Sequence, residues 1–264
     1  MYKMLCLDLD ETLLMPDLSI PDEVIAALRR LEDAGVFVTL ATGRMFASAR
    51  IYARKAGISR PLVVYNGAMI RSADAAEPLY YKPVPISAMR EILDLAMSRH
   101  WYAQLYHGDD IVVMRKTAET EIDPDLKNAA CRECLDFRVN VPGETPKIMT
   151  LAEPAEIDRR EAFLEERFGD RLYIAKSKPF LLEMMAGGVS KANSLELLCR
   201  KYGISPEEAV ACGDSDNDAE MLRWAGLGCC VANGMDSVKS ICSYVCQKGR
   251  AYGVLEVINR FFGV

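Results

Sequence analysis

The strongest constraint on the fold is the alternation of short apolar strands with amphipathic helices near the N-terminus. The predicted strands are Met4–Leu9, Val36–Ala41 and Leu62–Tyr65, and the predicted helices between them are Pro21–Ala34 and Met45–Ala56. Apolar side chains recur every three or four residues in the first helix, which is typical of a helix packed on one face. Strand–helix–strand units at this spacing indicate parallel strands joined by right-handed crossovers.

The same alternation returns near the C-terminus. There the predicted helices are Val189–Tyr202, Asp216–Trp224 and Tyr252–Phe262, and the predicted strands are Ala209–Cys212 and Leu227–Val231. Because both ends of the chain repeat one pattern, we expect them to form one doubly wound, mostly parallel sheet of the Rossmann-like α/β class.

The middle of the chain mixes helices with pairs of adjacent strands. The predicted helices are Ile86–His100 and Glu156–Phe168, and the predicted strands are Tyr102–Tyr106, Ile111–Arg115, Lys147–Leu151, Arg171–Ala175 and Phe180–Met185. The first two strands flank a turn at residues 107–110, which indicates a hairpin. This pattern predicts an inserted α+β cap domain at residues 82–183, within a core domain formed by residues 1–81 and 184–264.

Composition and charge narrow the possible partners. The net charge of −6 disfavours nucleic acid. No apolar run reaches the length of a membrane span and the N-terminus lacks a signal-peptide pattern, so we expect a cytoplasmic protein without a membrane partner. The nine cysteines are scattered and odd in number, which suits a reducing compartment. The oligomeric state stays open between a monomer and a homodimer.

Two acids follow the first predicted strand, in the segment Asp8-Leu9-Asp10-Glu11-Thr12. Residues two apart in a strand point to the same side, so Asp8 and Asp10 can face one pocket. Clustered carboxylates repel one another unless a cation compensates, and Mg²⁺ prefers such oxygen ligands. One carboxylate could then attack phosphorus while the other handles a proton. The alternative interpretation is an acidic helix cap or turn.

A second segment, Thr42-Gly43-Arg44, follows the second predicted strand and opens a helix. A helix N-terminus presents free N–H groups and the positive end of a dipole, which favours anions. The threonine hydroxyl, the small glycine and the guanidinium would complete a phosphate seat. The alternative is that Thr42 only caps the helix.

Two further segments complete the set. Lys191 stands at the start of a predicted helix, where a cation is unfavourable for the helix dipole unless an acid or a phosphate compensates. The segment Gly213–Asp218 follows a strand and offers Asp214, Asn217 and Asp218 as oxygen ligands for a hard cation. A surface lysine and a plain helix cap are the alternatives. The four segments together provide what phosphoryl transfer requires.

The four motifs, in this order, resemble those of the haloacid dehalogenase (HAD) superfamily. DLDETL resembles the first motif, TLATGR the second, GGVSK the third and GDSDND the fourth. The closest resemblance is to the Cof-type subfamily, whose members carry a IIB-like α/β cap between the second and third motifs. The resemblance implies a Mg²⁺-dependent phosphatase that acts on a small phosphorylated metabolite, a sugar phosphate by default.

The resemblance also implies a role for each matched residue. Asp8 would be the nucleophile that forms an aspartyl-phosphate, and Asp10 would be the general acid and then the base. Lys191 would offset the charge on Asp8 and on the phosphoryl oxygens. The implied metal ligands are Asp8, the backbone carbonyl of Asp10, Asp214 and Asp218. The implied phosphate- and substrate-binding residues are Thr42, Gly43, Arg44, Asn66, Gly67 and Asn217.

The chain departs from the subfamily pattern at three places. Glu11 stands where glycine is most common, Ala232–Asp236 lacks the usual asparagine of an AMGNA-like segment, and Gly249–Val254 carries a base in place of acids. These changes spare the catalytic residues, but they alter the expected wall and charge of the pocket.

Three alternative functions share parts of this pattern. A phosphomutase would use the same aspartyl-phosphate, and a phospho-acceptor signalling domain or a catalytically silent metal-binding protein would use part of the acidic cluster. Signalling domains are much shorter and need neither a cap nor a proton donor at Asp10. We also expect the cap to set substrate choice, with Tyr106, His107 and Arg115 as candidate contacts.

Overall fold

The computed structural model describes residues 1–118, 120–122, 125, 128–137 and 143–263. The described strands are β1 (Met4–Leu7), β2 (Phe37–Leu40), β3 (Leu62–Val64), β4 (Met69–Arg71), β5 (Tyr80–Tyr81), β6 (Gln104–His107), β7 (Asp110–Val113), β8 (Ala130–Glu133), β9 (Ile148–Leu151), β10 (Leu172–Lys178), β11 (Leu181–Ala186), β12 (Ala209–Gly213), β13 (Leu227–Cys230) and β14 (Tyr244–Val245). The described α-helices are α1 (Asp22–Asp33), α2 (Phe46–Ala56), α3 (Ile86–Arg99), α4 (Pro154–Phe168), α5 (Lys191–Tyr202), α6 (Ala219–Trp224), α7 (Asp236–Lys239) and α8 (Arg250–Phe261).

The two ends of the chain form one five-stranded sheet with the order β14-β13-β12-β1-β2. Each neighbouring pair in it runs parallel. The predicted doubly wound α/β fold is therefore confirmed. Because the C-terminal ends of parallel strands meet at one edge, the motifs that follow β1, β2 and β12 meet there as well.

Alternate residues of β1 pack into two different apolar cores, which is why the strand is apolar throughout. Leu5 and Leu7 belong to a core that includes buried residues of α1, α2 and α8. Met4 and Cys6 belong to a core on the other face with buried residues of α5 and α6. Helices thus cover both faces of the sheet.

The strand β3 continues this sheet only locally. A single parallel bridge joins Ala41 to Val63, and β3 otherwise pairs antiparallel with β4, which pairs in turn with β5. The predicted direction of β3 is confirmed. The strands β4 and β5 were not predicted, because two or three residues give no periodic pattern.

The middle of the chain forms a six-stranded sheet with the order β10-β11-β9-β6-β7-β8. Its strands pair antiparallel except for β7 and β8, and β6 and β7 form the predicted hairpin. One face packs against α3 and α4 through an apolar core that includes Leu105, Ile148 and Leu182. The predicted boundary between residues 183 and 184 falls inside β11, so the division into core and cap stays a prediction.

Two expectations about the whole chain can be compared with the structure. All nine cysteines are free thiols. Within the residues described, no helix combines the length and the apolar character that crossing a membrane requires.

Candidate active site

A buried lysine joins two of the predicted acidic motifs. The Lys191 Nζ donates hydrogen bonds to Asp8 Oδ1 and to Asp218 Oδ1, each at 2.6 Å. Lys191 is 1% exposed and is the first residue of α5, whose N-cap Ser190 accepts a hydrogen bond from the Asn193 N–H. The two carboxylates are the partners that a cation at a helix N-terminus requires. The interpretation of Lys191 as a solvated surface lysine is therefore wrong.

The acids around this lysine outnumber it. Burial raises the pKa of Asp8 well above its usual value, although Lys191 opposes this effect. Burial, followed by the charge of Asp218, raises the pKa of Asp214 to about 7. Burial alone would lower the pKa of Lys191, but the carboxylates of Asp218 and Asp8 outweigh it and raise the pKa. A site with these shifts favours a second cation.

The cluster has the oxygen donors that a hard cation prefers. Ligand oxygens of Asp8, Asp214 and Asp218 lie within 4.8 Å of one another, and all three residues are buried. The Thr12 hydroxyl donates to Asp214 Oδ1 at 2.6 Å. The Asp218 Oδ2 accepts hydrogen bonds from the backbone N–H groups of Asp214 and Ser215 at 2.9 and 3.1 Å. This donor set could hold Mg²⁺, with the most heavily bonded acid, Asp218, anchoring the loop that carries Asp214.

The other acid of the first motif, Asp10, pairs with the arginine of the second. Arg44 Nε and Nη2 donate to the two carboxylate oxygens of Asp10 at 2.7 and 2.6 Å. The Arg44 side chain is 3% exposed, and its guanidinium donates to the Ser48 hydroxyl and lies over the Tyr52 ring. In this arrangement Arg44 holds the side chain of Asp10. Its predicted contact with phosphate stays a prediction.

The predicted phosphate-binding segment, Thr42-Gly43-Arg44, lies between the end of β2 and the start of α2. The Thr42 hydroxyl accepts a hydrogen bond from the Arg44 N–H at 3.2 Å, which closes a local turn before the helix rather than capping α2. A Cβ on Gly43 would lie 3.0 Å from Asn66 Oδ1, which explains the small residue. The N–H of Met45, the N-cap residue of α2, donates to Asp125 Oδ2 at 2.9 Å. Asp125 was not predicted, because nothing in the sequence indicates that it contacts α2.

A series of polar side chains, joined by hydrogen bonds, extends from the C-terminal edge of the five-stranded sheet to the six-stranded sheet. The Asn217 Nδ2 donates to Asn66 Oδ1 at 3.2 Å, and the Asn66 Nδ2 donates to Glu183 Oε2 at 2.8 Å. Glu183 forms a buried ion pair with Lys147, whose Nζ also donates to the Gly43 carbonyl at 2.7 Å. Sequence analysis missed this ion pair. An acid within the apolar strand segment LLEMMA was the available signal, since the same criterion identified Asp8.

Gly67, which follows Asn66, packs closely against the start of α5. It has φ +105, and a Cβ there would lie 2.2 Å from the Ser190 carbonyl oxygen. The Ser194 hydroxyl donates to the Gly67 carbonyl at 2.6 Å. Only glycine permits this contact with α5, and a role in substrate binding stays a prediction.

A cavity of about 330 Å³ opens between the two sheets. The predicted residues in its lining are Asp8, Asp10, Thr42, Gly43, Arg44, Asp214 and Asn217. The middle segment contributes Tyr106, Lys147, Met149, Lys178, Leu181 and Glu183. Of the three predicted cap contacts, only Tyr106 lines the cavity; Arg115 lines a separate one, and His107 is exposed on the hairpin. The volume suits a small molecule.

Comparisons with known proteins agree with this architecture. The family model described as haloacid dehalogenase-like hydrolase matches residues 5–258. A 5-amino-6-(5-phospho-D-ribitylamino)uracil phosphatase of Bacillus subtilis is 27% identical, with 99% of this chain and 98% of the relative covered. An HMP-PP phosphatase of Yersinia pestis is 29% identical, with 90% and 87% covered.

Solved structures resemble the chain over its whole length. A haloacid dehalogenase-like hydrolase from Bacteroides thetaiotaomicron superposes with a TM-score of 0.90 at 27% identity, and the match covers 99% of this chain and 100% of that one. The chain belongs to the haloacid dehalogenase-like hydrolase family. It is therefore an enzyme of the hydrolase class, and the curated relatives named above are phosphatases.

Proposed function

We propose that this chain is a Mg²⁺-dependent phosphatase that hydrolyses a small phosphorylated metabolite through an aspartyl-phosphate on Asp8. The observation that carries the proposal is the placement of Asp8 at the cavity, 2.6 Å from the buried Lys191 ammonium. A cation beside a carboxylate offsets the charge that gathers when the carboxylate meets a phosphate dianion. The relatives' names support the activity class.

In the first half of the proposed reaction, an Asp8 oxygen forms a bond to phosphorus as the bond from phosphorus to the ester oxygen breaks. Asp10 gives a proton to that leaving oxygen. In the second half, Asp10 takes a proton from a water molecule whose oxygen attacks the phosphorus, and the bond to Asp8 breaks to release inorganic phosphate. Both steps follow the general pattern of nucleophilic and acid–base catalysis.

The chain's own residues keep the reacting groups in place. Lys191 neutralises Asp8, and the partly buried Asn217 amide and the turn at Thr42 and Gly43 line the cavity where the phosphoryl oxygens would bind. Asp8 and Asp214, with the Asp10 carbonyl, would hold Mg²⁺, which when bound would neutralise further negative charge on the phosphoryl group. A sugar phosphate is the default substrate because the cavity is small.

Hydrolysis of p-nitrophenyl phosphate tests the proposal, with release of inorganic phosphate as the readout. We expect turnover by the purified protein with Mg²⁺, its loss on chelation, and its loss in Asp8→Asn. Asp33→Asn, which changes an exposed acid at the end of α1, serves as the matched control and should retain full activity. Turnover that persists in Asp8→Asn would refute the nucleophile, and transfer of phosphate to a second hydroxyl without release would indicate a mutase.

A further inference from the structure

The cations of the cavity differ in whether they have partners. Arg44 pairs with Asp10 and Lys147 pairs with Glu183. The remaining cation in the lining is Lys178, at the end of β10. No carboxylate of the residues that the structure describes forms an ion pair with it. A cation at the wall of an anion-binding cavity, free of such a pair, is available to a ligand.

An irregularity in β10 places this lysine on the cavity side. In a regular strand Lys176 and Lys178 would share one face. The pairing with β11 shifts between them: Lys176 lies opposite Leu182, whereas Lys178 lies opposite Leu181, so Ser177 is an additional residue. This one-residue shift in register places Lys178 on the opposite face from Lys176.

The two neighbouring leucines identify the two faces. Leu182 belongs to the core beneath α3 and α4, and Leu181 lines the cavity. Accordingly, the Lys176 Nζ lies 2.9 Å from Asp158 and 2.7 Å from Glu161, both on α4. Lys178 stands on the opposite face, with Leu181. Because Ser177 is inserted, Lys178 lines the cavity instead of facing α4 as Lys176 does.

The wall around this lysine indicates what a ligand would look like. Met149, Pro179 and Leu181 line the same cavity as Asp8 and Asp214. A ligand with its phosphate at Asp8 would thus pass an apolar wall and meet an ammonium group. We propose that Lys178 binds a second anionic group on the leaving alcohol, so that the preferred substrates are phosphate esters whose alcohol carries a carboxylate or another phosphate. This inference rests on the proposed phosphatase function.

Two effects would make the cavity selective for substrates with a second anionic group. One is the attraction between Lys178 and that group, and the other is the negative charge of the acids that line the cavity. Without Lys178 the acids of the lining would repel a second anion on the substrate, whereas a neutral leaving group would be little affected. The side chain of Lys178 is exposed, so its replacement should leave the fold intact.

The test compares two aryl phosphates of similar shape, 4-carboxyphenyl phosphate and p-nitrophenyl phosphate, on Lys178→Gln. We expect kcat/KM for the carboxylate ester to fall about fivefold, the effect of one partly exposed ion pair, while kcat/KM for the nitro ester changes less than twofold. Lys178→Glu should enlarge the difference. Lys176→Gln, which removes the neighbouring lysine from the α4 face, is the matched control and should change neither value selectively.

The outcomes separate this inference from the function on which it rests. Hydrolysis of both esters by the wild-type protein, with Lys178→Gln lowering both equally or neither, would overturn the role of Lys178 alone. Failure of the wild-type protein to hydrolyse either ester would overturn the phosphatase function and this inference with it. A selective loss for the carboxylate ester supports both.

Discussion

The guanidinium of Arg250 lies 2.8 Å from the carboxylate of Glu11. Both residues are departures from the subfamily pattern, and Asn233, which lies in the third departing segment, joins them: Asn233 Nδ2 donates to the Glu11 carbonyl, and the Arg250 N–H donates to Asn233 Oδ1. Glu11 also has φ 61, a left-handed conformation that explains why glycine is common there. Residues from all three departing segments thus form one network, and two of its members, Glu11 and Asn233, line the cavity.

Loss of one member of this network should affect substrate binding. Arg250→Gln leaves the Glu11 carboxylate in the cavity lining without its cation, so repulsion of the substrate phosphate should raise KM roughly twofold to fivefold. Glu11→Gly in the same chain should restore KM. Arg260→Gln on the exposed side of α8 is the control. Equal KM values in Arg250→Gln and the wild-type protein would show that the pair has no effect on the substrate.

The pair between Asp10 and Arg44 predicts a coupled loss of turnover. Arg44→Met should lower kcat about tenfold or more, because Asp10 loses the two hydrogen bonds that orient its carboxylate. General acid–base groups contribute about 10²–10⁴-fold to the rate of such reactions. In an Asp10→Asn background the same change should have little further effect. Arg54→Met, which removes an exposed ion pair with Asp74 from the same helix, is the control. A raised KM that persists in Asp10→Asn would instead indicate that Arg44 binds phosphate.

The contact between Gly67 and Ser190 predicts a loss of stability. Gly67→Ala should lower the free energy of unfolding by about 3 kcal/mol or more, since the new Cβ would meet a backbone carbonyl in a strained conformation. Activity should fall as well, because Ser190 precedes Lys191. Gly108 also has a positive φ, but a Cβ added there would meet no neighbouring atom. Gly108→Ala should therefore lower the free energy of unfolding by only about 1 kcal/mol. Thermal melts of both variants measure the difference.

The carboxylate of Glu256 predicts a pH dependence of stability. Burial alone would raise its pKa, but hydrogen bonds from the Tyr244 hydroxyl and from the N–H groups of Gln247 and Lys248 outweigh it and lower the pKa below its ordinary value. A lowered pKa stabilises the fold above the unfolded-state value, and this contribution is lost as the pH falls through the folded-state value.

Glu256→Gln should therefore be about 1–2 kcal/mol less stable than the wild-type protein at pH 7. The gap should narrow below about pH 4. Denaturant unfolding at several pH values checks this, with Glu166→Gln on the exposed side of α4 as the control. A gap that stays constant down to pH 3 would contradict the assignment.

The sequence predicted the parts of the site that depend on local pattern. Asp8, Thr42 and Asp214 each follow a strand of one parallel sheet, and the geometry of that sheet alone brings them together. The buried pair of Lys147 and Glu183 depends instead on how distant strands are paired, which no local pattern specifies.

A second kind of feature escaped the sequence because it breaks a pattern. The bulge at Ser177 and the three-residue strand β4 both interrupt regular periodicity. The predicted strand ends at Ala175, before both lysines, and regular alternation would place Lys176 and Lys178 on one face, whereas the bulge separates them. Such positions become visible only when the partner strand is known.

The ammonium group of Lys147 connects the two sheets, through the Gly43 carbonyl on one side and Glu183 on the other. Lys147, Glu183 and Asn66 are each at most 3% exposed. A sideways shift of one sheet across the other would break these hydrogen bonds while the groups stay buried away from water. Separation of the sheets would instead let water form hydrogen bonds with each group. The buried bonds of Lys147 therefore favour one alignment of the two sheets, because any other alignment would leave these polar groups unpaired.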